Sequence, residues 1–168
     1  MPEPIAYTFF ATPWCELTVA SSRRGLCVVN FGRSLARARQ TLDAHWGETR
    51  WVESKSANRK VLEQLRAYFR GRRRRFSLPL DLRGTPFQVR AWKALGRIPY
   101  GKTRSYRDVA RAAGSPEASR AAGMACGSNR VAIVVPCHRV VGADGSLTGF
   151  GGGLALKRRL LAHEANGR

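Results

Sequence analysis

Thr85-Pro86-Phe87-Gln88 spells out a helix start in full. Thr85 suits an N-cap, Pro86 sits at the first helical position where its missing N–H costs nothing, and Gln88 can reach back to the Thr85 amide. A helix that must begin there interrupts whatever precedes it, so the chain divides. The expected fold is α/β in two parts. A small mixed α/β domain covers 1–79, and a carboxy-terminal helix-turn-helix (winged-helix-like) domain covers 80–168. The chain's 168 residues are enough for two small cores.

In the first part, "IAYTFF" (5–10), "CELTVA" (15–20) and "GLCVVNF" (25–31) read as strands, with turns at Thr12-Pro13 and Ser22–Arg24. Residues 34–46 read as a helix. Residues 56–69 read as a stronger one, with Val61, Leu62, Leu65, Tyr68 and Phe69 on one stripe and Gly71 as the stop. The run Arg72–Arg75 reads as a solvated turn, with a second DNA-contacting patch as the alternative.

In the second part, the Thr85-capped helix runs to about Gly96 and is expected to bury Phe87, Trp92 and Leu95. After a turn at "IPYGKT", a short helix from Ser105 stops at Gly114. The next is expected to restart at once, with Ser115 as cap and Pro116 at the first position. This last helix is nearly bald: Ala118, Ala121, Ala122, Gly123 and Ala125 offer little to read base edges in a major groove. A bald helix permits close backbone approach, as in a narrow minor groove, or simply packs on its neighbour. Arg120 is the one long basic side chain on it.

Thirty Lys and Arg against eleven Asp and Glu leave a net charge of +19, divided about +9 and +10 on either side of residue 84. Such a field attracts polyanions; an Arg-rich genome or a solubility device would look the same. No stretch approaches the length of a membrane helix, and "MPEPIAYTFF" lacks the form of a signal peptide, so the expected protein is soluble, cytoplasmic and free of membrane contact. Cys15, Cys27, Cys126 and Cys137 are widely spaced with no paired His ligands, so neither a metal nor a disulfide framework is expected. No cofactor is called for.

"IVVPCHRVVGADG" (133–145) places Cys137 beside His138, behind Pro136 at the end of a β-branched run. The pair alone fits a thiol hydrolase, a metal ligand set or a buried small hydrophobe. On a strand, adjacent side chains face opposite ways, so activation of the thiol by His138 needs a bent backbone or a bridging water.

"GTPFQ" (84–88), "IPYGKTRSY" (98–106), "SRAAG" (119–123), "SN" (128–129), "PCHRV" (136–140) and "LTGFGGG" (147–153) occur in one order, followed by Lys157 and "LLAHE" (160–164). This series resembles the O6-alkylguanine-DNA alkyltransferases over roughly residues 80–165. The amino-terminal half agrees only in its α/β layout. The resemblance implies a direct-reversal DNA repair protein that moves an alkyl group from O6 of guanine to a cysteine in one displacement. A thioether is not hydrolysed, so each molecule acts once.

The resemblance makes Cys137 the acceptor, with His138, through a water, and Glu164 withdrawing its proton. Asn129 braces the turn before Cys137, Tyr106 donates to the departing ring, and Lys157 lies near the reacting centre. The base pocket would draw on Phe150, Gly151, Val140, Cys126, Val135 and Pro136, with the Gly151 N–H and the Cys137 and Val140 carbonyls reading guanine edges. DNA would lie on Ala118, Ser119, Arg120, Ala121, Gly123, Arg130 and Tyr106, with Arg120 filling the gap left by the extruded nucleotide. The implied partner is double-stranded DNA containing O6-alkylguanine, met by a monomer, with cooperativity on DNA left open. Two positions depart from the family pattern: Phe150 replaces a Tyr, and Asn129-Arg130 replaces Asn-Pro. The rivals are a non-catalytic alkylated-DNA sensor, a helix-turn-helix regulator with a structural Cys, and a cysteine hydrolase.

Overall fold

The structure, a computed structural model, describes residues 1–42 and 45–167. It separates into two compact units, Met1–Arg83 and Gly84–Arg168.

The first unit is a four-stranded sheet carrying two helices. Strands β1 (Glu3–Ala11), β2 (Glu16–Ser21) and β3 (Leu26–Phe31) form an antiparallel meander. After α1 (Leu35–Leu42), strand β4 (Thr49–Glu53) pairs parallel with β1, giving the order β3-β2-β1-β4. The sequence reading has no strand at β4. Its "TRWVE" is an edge strand with no fully buried residue, and only Trp51 packs on the core, so the alternation that marks a half-buried strand is weak. The helix expected over 34–46 is helical from Leu35 to Leu42, His45 lies in a turn, and Asp43 and Ala44 fall outside the described residues.

One core cluster joins Ile5, Ala20, Cys27, Val28, Ala38, Leu42 and Trp46. The expected stripe of α2 (Arg59–Phe69) is buried as a whole: Val61, Leu62, Leu65, Tyr68 and Phe69. Residues Ser56–Asn58 ahead of it are a 3-10 turn rather than α-helix. There Asn58 is fully buried: Nδ2 donates to the Ala6 and Ser54 carbonyls, both at 3.0 Å, and Oδ1 accepts from Ser21 Oγ at 2.8 Å, so it makes no side-chain cap to α2. The segment leaving the unit runs beside β3, where the Leu26 amide donates to the Pro79 carbonyl at 2.9 Å. Gly25 is required there, because a Cβ would meet the Pro79 oxygen at 2.3 Å and φ is +150°. At the end of this segment, Arg83 lies 3.7 Å above the Trp46 ring. It holds both Glu3 oxygens at 2.9 Å and the Asp81 carboxylate at 2.8 and 3.0 Å.

The second unit opens with α3 (Pro86–Gly96). Its capping box closes as written, with Gln88 N–H to Thr85 Oγ1 at 3.2 Å and Thr85 N–H to Gln88 Oε1 at 2.9 Å. Trp92 and Leu95 are buried, while Phe87, expected to be buried with them, is only half covered. Two-residue strand β5 (Arg104–Ser105) leads into α4 (Tyr106–Ala112), which Ser105 and Asp108 cap reciprocally.

The expected restart at Ser115 does not occur. The Ser115 amide is taken by the Ala110 carbonyl at the end of α4, and Ser115–Ala118 form a separate turn. Helix α5 (Ser119–Gly127) starts after it with no side-chain cap. Helices α3, α4 and α5 pack on one another, so α5 buries Ala122 and Ala125 against its neighbours.

The β-branched run after α5 is not a strand. Residues 131–136 make successive tight turns, with Ile133 in the left-handed region at φ 71°. Asn129 supplies what a neighbouring strand would: its Nδ2 donates to the Val135 carbonyl at 2.8 Å and its Oδ1 accepts from the Val131 amide at 3.0 Å. A 3-10 turn, Cys137–Arg139, follows and feeds β6 (Val140–Val141), which pairs parallel with β5. The chain ends on α6 (Leu154–Asn166).

Candidate active site

The 3-10 turn answers the problem of adjacent residues. With a turn in place of a strand, Cys137 is half-exposed at a cleft while His138 points into the unit and is fully buried. Burial raises the Cys137 thiol above its ordinary pKa; a hydrogen bond with the Asn129 side chain and the Lys157 charge pull the other way. Asn129 thus serves the thiol as well as the turns before it.

Behind the thiol, His138 Nε2 lies 2.7 Å from Glu164 Oε1. Arg139 grips the same carboxylate, Nε at 2.9 Å from Oε2 and Nη2 at 2.8 Å from Oε1, and donates Nη1 to the Ile98 carbonyl at 2.7 Å. Burial pushes Glu164 upward, but the His138 and Arg139 bonds outweigh it and hold the carboxyl well below the usual range. Burial lowers His138 more than Glu164 raises it. We therefore assign an ionised Glu164 and a neutral His138 whose Nε2 carries the hydrogen. That leaves the Nδ1 lone pair as acceptor, and Nδ1 is a buried atom with no partner among the described residues.

Lys157 is fully buried and donates Nζ to the Val140 carbonyl at 2.6 Å and the Thr148 carbonyl at 2.8 Å. Its pKa is lowered by burial, partly offset by Cys137 and Cys126. It thereby pins the glycine-rich loop to β6. The Thr148 hydroxyl in turn lies 2.8 Å from the Tyr106 hydroxyl.

The cleft measures roughly 630 Å³, and Cys137, Cys126, Tyr106, Arg120, Phe150 and Gly151 are among its walls. Ser119, Gly123 and Thr148 also line it. Three residues expected in the pocket are elsewhere: Val135, Pro136 and Val140 are buried behind it. The Val140 carbonyl is engaged by Lys157, and the Cys137 carbonyl accepts from the Val140 amide. Burial pushes Cys126 up to about 12, with Cys137 adding to the rise, so it is an inert wall.

On α5, Arg120 is exposed, while Ser119, Ala121 and Gly123, and Ala118 just ahead of the helix, are half-buried. The Gly123 backbone faces the Tyr106 ring, where a Cβ would have ordinary contact at 3.7 Å. Arg130 is not displayed toward solvent. It is 9% exposed and stacks over Trp92 at 5.2 Å, so the Arg that replaces a proline packs instead of projecting.

Two participants escaped sequence reasoning. Arg139 sits inside "PCHRV" beside the residues with assigned roles, and that adjacency was its signal. Thr148 has no signal in spacing or type. Among the described residues no cluster of three His, Cys, Asp or Glu side chains could hold a metal ion.

Comparison with known proteins bears on both units. The family model described as "6-O-methylguanine DNA methyltransferase, DNA binding domain" matches residues 86–166. The one described as "6-O-methylguanine DNA methyltransferase, ribonuclease-like domain" matches residues 5–82. A methylated-DNA–protein-cysteine methyltransferase of Mycolicibacterium paratuberculosis is 56% identical over 116 residues, 69% of this chain and 70% of that protein. Its namesake in Methanosarcina barkeri is 41% identical over 160 residues, 95% of this chain and 97% of that protein. The crystal structure of Mycobacterium tuberculosis O6-methylguanine methyltransferase superposes with a TM-score of 0.83 at 41% identity, covering 98% of this chain and 94% of that one. The same enzyme in complex with DNA gives 0.82 at 43% identity, with the same coverage. Matched over both units and nearly its whole length, this chain belongs to the 6-O-methylguanine DNA methyltransferase family.

Proposed function

We propose that this chain repairs O6-alkylguanine in duplex DNA by moving the alkyl group onto Cys137. The observation that carries the reading is a thiol at the wall of a base-sized cleft, backed by a neutral imidazole whose free nitrogen is otherwise unpartnered. The Cys137 proton passes to His138 Nδ1, through a water where the two do not meet directly. Glu164, kept ionised by Arg139, stabilises the imidazolium that results. The sulfur attacks the sp³ carbon on O6, the C–O bond breaks, and its electron pair leaves with the guanine. Tyr106 protonates the departing base, with Thr148 orienting its hydroxyl.

No tetrahedral intermediate forms, so no oxyanion hole is needed. Asn129 orients the thiol, Phe150 stacks on the base, and the Gly151 amide is available to its edge. Lys157 fixes the loop that carries them. Arg120 enters the duplex from α5 with Ala118, Ser119, Ala121 and Gly123 against the backbone. Every group in this scheme comes from one chain, which supports action as a monomer. A DNA substrate puts the work in the compartment that holds DNA, the cytoplasm of a cell without a nucleus. Among the described residues no helix is long and apolar enough to cross a membrane.

Intact-mass analysis after mixing with O6-methylguanine duplex tests the reading. One methyl increment per molecule, located on Cys137 and absent in Cys137→Ala, is expected. Repeated turnover, or methylation without Cys137, would refute it.

A further inference from the structure

The charge of the first unit is not spread over it. Between Lys55 and Arg75 stand nine Lys and Arg against the single Glu63, and from Gln64 to Leu80 there are six arginines and no acidic residue. Arg70, Arg72, Arg74 and Arg75 are exposed, bunched at and just beyond the carboxy-terminal end of α2. The negative end of a helix dipole favours a cation in its last turn and no farther, which accounts for Arg70 but not for the other three. Among the described residues, none of Arg70, Arg72 and Arg75 has a carboxylate partner.

Nor is this segment a loose tail whose charges can spread apart. Gln64 on α2 clamps it from both sides, donating to the Ser77 carbonyl at 3.1 Å and accepting from the Ser77 amide at 3.0 Å. Arg73 turns inward and donates to Ser77 Oγ at 2.8 Å. Phe76 packs on buried Tyr68 with ring centroids 5.6 Å apart. Holding guanidinium groups together in this way costs repulsion that an opposing polyanion removes, and Arg is the side chain whose fork fits phosphate oxygens.

We propose that Arg70, Arg72, Arg74 and Arg75 of the first unit form a docking surface for the phosphate backbone of duplex DNA, additional to α5 and indifferent to the lesion. The choice of DNA rests on the proposed repair function, in which duplex is the polyanion this protein meets. Phosphate contacts of this kind add affinity and salt dependence without reading sequence.

The test uses the full chain with Arg72, Arg74 and Arg75 changed to Gln, leaving Arg73 to hold the loop. The control variant removes three exposed charges elsewhere on the same unit: Arg23→Gln, Arg39→Gln and Arg50→Gln. Binding to undamaged duplex is measured across salt concentration. The patch variant should lose about 2 or more from the log–log salt slope, at roughly 0.9 per phosphate contact, and bind at least tenfold more weakly near 0.1 M salt. The control should change by less than threefold. Unchanged unfolding midpoint and unchanged reaction with free O6-benzylguanine show that fold and thiol are intact. Equal losses in both variants would mean a diffuse field and overturn the surface; no loss in either would do the same. So would a loss confined to polyglutamate, which would reassign the face to acidic protein. Failure of the repair reading looks different, as absence of alkyl uptake by Cys137 in the wild-type chain.

Discussion

Each unit contains one arginine shared between other charged or polar groups, and the two clusters have opposite characters. In the first unit, Arg83 spends its donors on Glu3 and Asp81, its face on Trp46, and Ser22 completes Asp81 at 2.6 Å. Arg83 and Glu3 are about a quarter exposed. In the second, Arg139, Glu164 and His138 are 7%, 0% and 0% exposed, yet the cluster ends on a nitrogen with nothing to bond. A cluster whose members satisfy one another is a fastener. One that stops an atom short, next to a thiol, is poised to take a proton. Burial alone does not separate structure from chemistry, nor does a missing partner alone, since Trp46 Nε1 under Arg83 also lacks one; an acceptor left open beside a cysteine does.

The largest expected effect breaks the buried cluster. Glu164→Gln leaves the Arg139 guanidinium without its counter-charge and loosens His138, so it should cost about 3–5 kcal/mol of stability and at least a hundredfold in alkyl transfer. Arg83→Gln should cost only about 1–2 kcal/mol and leave the rate with free O6-benzylguanine unchanged. Urea unfolding and single-turnover kinetics on both variants decide the matter. Equal costs, or a slow reaction in Arg83→Gln, would abolish the distinction.

Next in size is Arg120→Ala, which leaves both clusters untouched. Extruding a nucleotide costs roughly a few kcal/mol, and a side chain filling the gap offsets part of it. Repair in duplex should slow about tenfold or more, equivalent to about 1.4 kcal/mol of barrier, with little change on free O6-benzylguanine. Equal slowing on both substrates would return Arg120 to a role in fold or pocket.

The smallest effect is in pH. His138 has a folded pKa below its ordinary 6.5, because burial disfavours its charged form. The unfolded chain therefore binds a proton first, and stability declines as pH falls below about 6.5. Glu164 and Asp81 are held low by their partners despite burial, so their contribution is lost only at more acid pH, as it falls below the ordinary carboxylate range. Unfolding midpoints should drift down in two stages, and His138→Gln should erase the first stage only. A midpoint flat from pH 7 to 5 in the wild type would contradict a neutral His138.

The sequence showed some of this plainly and hid the rest for physical reasons. Thr85, Pro86 and Gln88 act within one helical turn, so their local chemistry determined what formed. The α2 stripe was legible because its buried apolar residues recur on one face of one helix. By contrast, "VAIVVP" has the composition of a strand, but its own backbone bonds and the left-handed Ile133 fold it into a corner that Asn129 braces from outside the run. Ser115 looked like a cap, but the turn it opens closes at Ala118 and the helix begins only at Ser119. Among the site residues, Cys137, His138 and Glu164 stood in recognisable motifs. The grip of Arg139 on Glu164 spans 25 residues, and the Tyr106–Thr148 contact spans 42, distances over which periodicity carries no information.

The carboxylate that completes the site comes from α6, 26 residues after His138. Synthesis runs from the amino terminus, so Cys137 joins the chain before Glu164, and the site stays incomplete until α6 has folded. In that interval the imidazole has no anion behind it and the thiol no assisted route to a thiolate. For a reagent used only once, this order has a value: the sulfur stays unhelped until the last helix has closed and the cleft can choose its electrophile. The late helix works as a safety catch, and the sequence sets when it is released.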